Sequence, residues 1–102
     1  MTVINERRLA EFAKKHSGAR KALASWLAVT RDSTWRSIVD VREVFPNADG
    51  VEVRRGVIVT VFNIRGNLYR LITLVVYAAQ AVDIVEVLTH AEHSKDGWKR
   101  RI

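Results

Sequence analysis

Residues 57–90, VIVTVFNIRGNLYRLITLVVYAAQAVDIVEVLTH, restrict the fold more than any other stretch. They hold three apolar runs rich in Val and Ile, which is strand composition. Arg65-Gly66-Asn67 separates the first two and suits a tight hairpin. Ala78-Ala79-Gln80 separates the last two and fits a short connection. Three strands with short links make an antiparallel meander. In Val57 to Ile64, Val57, Val59 and Val61 face one way, and Ile58, Phe62 and Ile64 the other. Both sides are apolar, so this strand is expected to be covered on both faces. In Leu68 to Tyr77, Arg70 shares a side with Ile72 and Leu74. In Val82 to Leu88, Ile84, Glu86 and Leu88 share a side, with Val85 and Val87 opposite. The last strand is read as ending in Thr89-His90.

The chain before the meander carries helical periods. Thr2 to Ile4 is a β-prone piece that fits an edge strand of the later sheet. Asn5 suits an N-cap, followed by a stripe of Leu9, Phe12, Ala13 and His16. After Ser17-Gly18 the period resumes in Ala22, Leu23, Trp26, Leu27 and Thr30. A third stripe, Trp35, Ile38, Val39 and Val41, starts after a cap at Asp32 or Ser33. It stops at Phe45-Pro46, because proline pushes the residue before it away from helix. Asn47 to Gly50 reads as a loop. Val51 to Val53 opens another strand, with Arg54-Arg55-Gly56 as a turn. Helices first and strands second predict an α+β domain, with N-terminal helices packed on one face of a small antiparallel sheet. One domain spans residues 1–102: a helical part at about 5–45, a sheet part at about 51–90, and a basic tail at 91–102.

Composition narrows the chemistry. The 102 residues contain no cysteine, which removes disulfides, thiolate nucleophiles and zinc–thiolate sites and fits a reducing cytoplasm. The most apolar window, Leu68 to Leu88, is interrupted by Arg70, Asp83 and Glu86, so no membrane span is expected. The N-terminus, MTVINERRLAEF, lacks an apolar h-region. A formal net charge of +6 favours a polyanion or an acidic protein as partner, or else marks a basic surface only.

Two readings stand for Arg70. A guanidinium in an apolar strand suits a phosphate clamp. It also suits a structural ion pair, with Glu86 as partner. His90 and His93, in THAEH, offer proton transfer near neutral pH, against ordinary surface or capping roles. With Glu92 they lack a third metal ligand of recognised spacing, so no metal and no cofactor are expected. Arg54, Arg55 and Arg65 at the turns, and Lys95, Lys99, Arg100 and Arg101 in the tail, offer phosphate contacts or a solvated basic rim. Tyr69 and Trp98 are candidates for base stacking. Trp26, Trp35, Phe12 and His16 belong to packing. No glycine-rich phosphate loop and no GxSxG are present.

FPNAD at Phe45 to Asp49, VFNIRGNLYRLI at Val61 to Ile72, and THAEH followed by Trp98-Lys99 together resemble the HigB family of toxins from bacterial type II toxin–antitoxin modules. The similarity runs from about Trp35 to Lys99. It implies a RelE-like fold and an mRNA interferase, an endoribonuclease acting on mRNA at the translating ribosome in the bacterial cytoplasm. It implies a HigA-like antitoxin as partner, with operator DNA reached only through that antitoxin. The motif carries over onto Asn63, Gly66, Asn67, Tyr69, Arg70, Leu71, Thr89, His90 and Glu92. His93 stands where the family usually has tyrosine. Expected catalytic residues are therefore Arg70, His90 and His93. Expected RNA contacts are Arg54, Arg55, Arg65, Asn67, Tyr69, Lys95 and Lys99. The alternatives are a basic RNA- or protein-binding module that does not cut, and a degenerate toxin kept as a complex subunit.

Overall fold

A computed structural model describes residues 1–102. The chain runs β1 (Thr2–Ile4), α1 (Arg7–Lys15), α2 (Arg20–Arg31), α3 (Ile38–Val44), β2 (Asp49–Arg54), β3 (Val57–Ile64), β4 (Tyr69–Val76), β5 (Ala81–Thr89) and α4 (His90–Ser94). The five strands form one sheet in the order β1-β5-β4-β3-β2. Neighbours are antiparallel except β1, which joins the edge parallel to β5. The expected α+β arrangement is present, and the N-terminal strand makes the sheet mixed. No helix is long and apolar enough to cross a membrane.

Helices α1, α2 and α3 cover one face of the sheet. Leu9 from α1, Leu23 and Trp26 from α2, and Val41 from α3 pack on Phe62, Ile64, Leu71, Val82, Ile84 and Val87. Aromatic rings fill the centre, with Trp26 and Phe45 each 5.3 Å from Phe62. Trp35 joins them at 6.3 Å from Phe62, but from the loop before α3 and not from a helix. The N-cap of α3 is Ser37, whose side chain accepts from Val39 N–H, so neither Asp32 nor Ser33 caps it. Asn5 does not cap α1 through its side chain either. It takes a left-handed conformation, φ 61°, and its amide donates to Asp83 Oδ1 at 2.7 Å. The predicted loop at 47–50 is shorter than expected, because β2 already pairs at Asp49, opposite Val61.

The other face is closed by the tail. Trp98, 1% exposed, packs on Val59, Val61, Ile72 and Leu88. It lies in a 3₁₀ segment, Gly97–Arg101. Trp98 is therefore core and not a free stacking platform. An indole offers a large apolar surface together with one N–H, which here finds His93 O at 3.0 Å.

One irregularity decides which residues share that face. Ile72 pairs with Glu86 and Thr73 with Ile84, so Val85 is an extra residue in β5. A bulge shifts alternation by one, and every side chain beyond it changes face. Ile84 accordingly lies among the helices, while Leu88 lies under Trp98. The strict alternation expected for Ile84, Glu86 and Leu88, and for Val85 and Val87, is corrected on this point. A bulge also leaves backbone groups without ladder partners. Arg8 of α1 donates to the carbonyls of Ile84 at 3.2 Å and Val85 at 2.6 Å.

Candidate functional site

The sheet end formed by the β3–β4 turn and the start of α4 gathers the polar residues. The turn spans 65–68, with Arg65 at φ 52° and Gly66 at φ 63°. Positive φ costs Gly66 little but is uncommon for arginine, and Leu68 N–H closes the turn on Arg65 O at 3.3 Å. On the neighbouring strand Thr89 pairs with Tyr69. Thr89 is also the N-cap of α4. Its hydroxyl accepts from Glu92 N–H, and the Glu92 carboxylate accepts from Thr89 N–H. This is a capping box, and Thr-x-x-Glu is its sequence signature. It ends β5 at Thr89 and makes His90 the first residue of a helix. His90 N–H then donates to Leu68 O at 2.9 Å, tying the helix start to the turn. Those bonds from Thr89 also hold the Glu92 carboxyl below its usual range.

Arg70 sits on the tail side of the sheet, 9% exposed, beside its cross-strand neighbours Asn63 and Leu88. Its guanidinium donates to Asn67 O at 3.2 Å and Tyr69 O at 3.1 Å, and to the Asn67 side-chain oxygen. No carboxylate pairs with it. Glu86, the partner expected in the ion-pair reading, is held by Arg101 at 2.8 Å instead. A buried cation served only by neutral acceptors is costly, and an incoming anion would relieve that cost.

Arg70 Nη2 lies 3.4 Å from His90 Nδ1. A guanidinium can only donate, so this contact suits the His90 tautomer with its proton on Nε2. His90 is exposed at the start of α4. His93, three residues on, falls on the same side of the short helix. Its ring stacks on Trp98, with centroids 5.3 Å apart and planes 19° apart. Burial lowers its pKa from the ordinary 6.5, and the Arg70 charge lowers it further, with Asp96 opposing. His93 is therefore neutral near pH 7. The unfolded chain binds a proton here at a higher pH than the folded one. Stability should then fall as pH drops below 6.5 towards the depressed value, and level off below it. His93→Gln should flatten that window in urea-midpoint measurements at closely spaced pH. An unchanged profile would mean His93 is not the titrating group.

The remaining candidates divide by position. Asn67 is part of the Arg70 constellation through both its oxygens. Lys95 follows α4 and is exposed, while Lys99 pairs with Asp96 at 3.3 Å and lies 5.8 Å from the Trp98 ring. Tyr69 points to the helix face, edge-on to Phe12 at 5.5 Å and His16 at 5.9 Å. Arg65 also reaches that side, towards Gly18 O at 3.4 Å. Arg54 and Arg55 stand at the opposite end of the sheet, where β2 turns into β3. The structure does not bring them to Arg70. No three His, Asp or Glu side chains gather in a metal-holding group.

Scanned against models of protein families, residues 19–96 match the family described as HigB_toxin, RelE-like toxic component of a toxin-antitoxin system. The match contains Arg70, His90 and His93 and ends just before Trp98. No curated protein matches the chain.

Proposed function

The chain belongs to the HigB toxin family, the RelE-like toxic components of toxin–antitoxin systems, and on that premise we propose that it is an mRNA interferase. It cuts mRNA on the translating ribosome in the bacterial cytoplasm, needs no metal, and is neutralised by a cognate HigA-like antitoxin. The observation that carries the reading is Arg70: nine-tenths buried, without a carboxylate, and 3.4 Å from a histidine at the open end of the sheet.

RNA carries its own nucleophile. Attack by a 2′-hydroxyl on the adjacent phosphorus breaks the bond to the 5′-oxygen and leaves a 2′,3′-cyclic phosphate and a 5′-hydroxyl. Charge builds on the phosphate oxygens as the new bond forms. Arg70, pre-positioned by Asn67, stabilises that charge. His90 adds its Nε2–H to a phosphate oxygen, since Nδ1 faces Arg70. His93, neutral at physiological pH, takes the 2′-hydroxyl proton. The departing 5′-oxygen is protonated from solvent at the open mouth of the site. Lys95 and Lys99 flank the path of the strand, and their contribution is electrostatic.

The test is 5′-end mapping of cellular RNA after induced expression, with wild type beside His90→Ala. New 5′-hydroxyl ends inside translated mRNA, reduced at least about 10²-fold in the variant, are expected. Growth arrest without new ends would replace this reading with a binding module that does not cut.

A further inference from the structure

We propose that the polar cavity on the helix side of the 65–68 turn is a second phosphate subsite, holding the RNA backbone beside the phosphate at Arg70. The proposal rests on the endoribonuclease reading above for the identity of the strand. Ser17, Gly18, Arg20, Lys21, Ala22 and Arg65 line this cavity of about 350 Å³. No acidic side chain is among them. Arg20, Lys21 and Arg65 also take part in none of the ion pairs of the fold, and here three such cations line one cavity. Three unpaired cations around one cavity repel one another, and an anion between them removes the repulsion.

The local chain is built to bring them together. Arg65 takes a left-handed conformation, and its Nη1 comes to rest 3.4 Å from Gly18 O. That approach needs glycine: a Cβ on Gly18 would lie 2.5 Å from Arg65 Nη1 and 3.5 Å from the Tyr69 hydroxyl. Arg65 and Arg70 thus flank a single turn, one guanidinium on the helix side and one on the tail side. A strand laid over the turn meets both, and passes the half-exposed Leu68 at its tip. Of the six lining residues only Ala22 has an apolar side chain, so the cavity holds none of the large apolar or aromatic side chains that seat the anchors of a protein segment. A repeating phosphate backbone needs none, and it fits the charge.

The experiment compares wild type, Arg20→Gln/Lys21→Gln and Gly18→Ala. The probes are a fluorescent single-stranded 2′-deoxy oligonucleotide, which lacks the nucleophile, and an RNA substrate. The double variant should bind the deoxy probe roughly tenfold more weakly at low salt. Its plot of log affinity against log salt should flatten by about 0.7 for each phosphate that the protein no longer neutralises. KM for RNA should rise while kcat holds. Gly18→Ala, which changes no charge but displaces Arg65, should weaken binding in the same direction and less. Unchanged affinity and salt slope in the folded double variant would overturn the subsite. So would a defect confined to antitoxin binding, which would make the cavity a docking point for an acidic protein. If these variants lose probe binding but wild type cuts no RNA, the subsite stands and the endoribonuclease reading fails.

Discussion

Arg70→Ala should lose RNA cleavage by about 10²–10³-fold while the protein stays folded. The two effects separate because of where the side chain sits. In the free protein the guanidinium is buried with no carboxylate and is held by two backbone carbonyls and the Asn67 side chain. Its removal relieves a desolvation cost, and the exposed Asn67 can be served by water. The urea midpoint should therefore stay level or rise while turnover collapses, as expected where a site is kept at the expense of stability. Arg70→Lys should not restore turnover. A lysine brings charge but not the planar fork that Asn67 positions. The measurements are turnover on RNA, growth after induction, and a urea titration of each variant. A folded Arg70→Ala protein that still cleaves at the wild-type rate would remove Arg70 from the mechanism.

Trp98→Ala should have the largest effect on stability. The indole is 1% exposed and spans Val59, Val61, Ile72 and Leu88, the residues that line the second face of the sheet. Truncating a buried Trp costs about 3–5 kcal/mol. At about 4–8 °C per kcal/mol for a domain of this size, Tm should fall by about 12 °C or more. The same change takes the ring from beside His93 and the N–H from its carbonyl. The His93 pKa should then move back up towards 6.5, which NMR titration of the ring reads directly. Trp98→Phe keeps most of the apolar packing and should lose much less stability. A Trp98→Ala protein with wild-type Tm would mean the tail does not close this face.

Much of the architecture was legible because it is written in near neighbours. Val57–Ile64 matches its predicted strand, the turn at Arg65-Gly66-Asn67 is where Gly66 needs positive φ, and α1 and α2 follow their stripes. Trp35 failed the same logic. Its spacing to Ile38 is helical, but Ser37 caps α3 and leaves Trp35 in the loop, where the aromatic core takes it up. The THAEH segment held a readable helix start in its Thr-x-x-Glu spacing, which outweighs the strand composition just before it.

Of the site, Arg70 and the two histidines stand out in the chain by type alone, but their relation does not. Arg54, Arg65 and Lys95 look equivalent as basic residues beside turns. The antiparallel order sends Arg54 to the far end of the sheet and leaves Arg65 near Arg70. Tyr69 and Arg70 are adjacent and so face opposite sides of β4, which puts the tyrosine with Phe12 and the arginine with Asn67. By itself the amino-acid sequence determined the strands, the turns, the helical faces and the residue types capable of the chemistry, because propensity and periodicity act over a few residues. Only the tertiary structure decided three things: that one extra residue at Val85 exchanges the faces of β5, that Trp98 covers the second face, and that Glu86 goes to Arg101 and leaves Arg70 without a carboxylate. Each depends on register and on contacts between residues distant in the chain, where one residue of shift reverses which side chains meet.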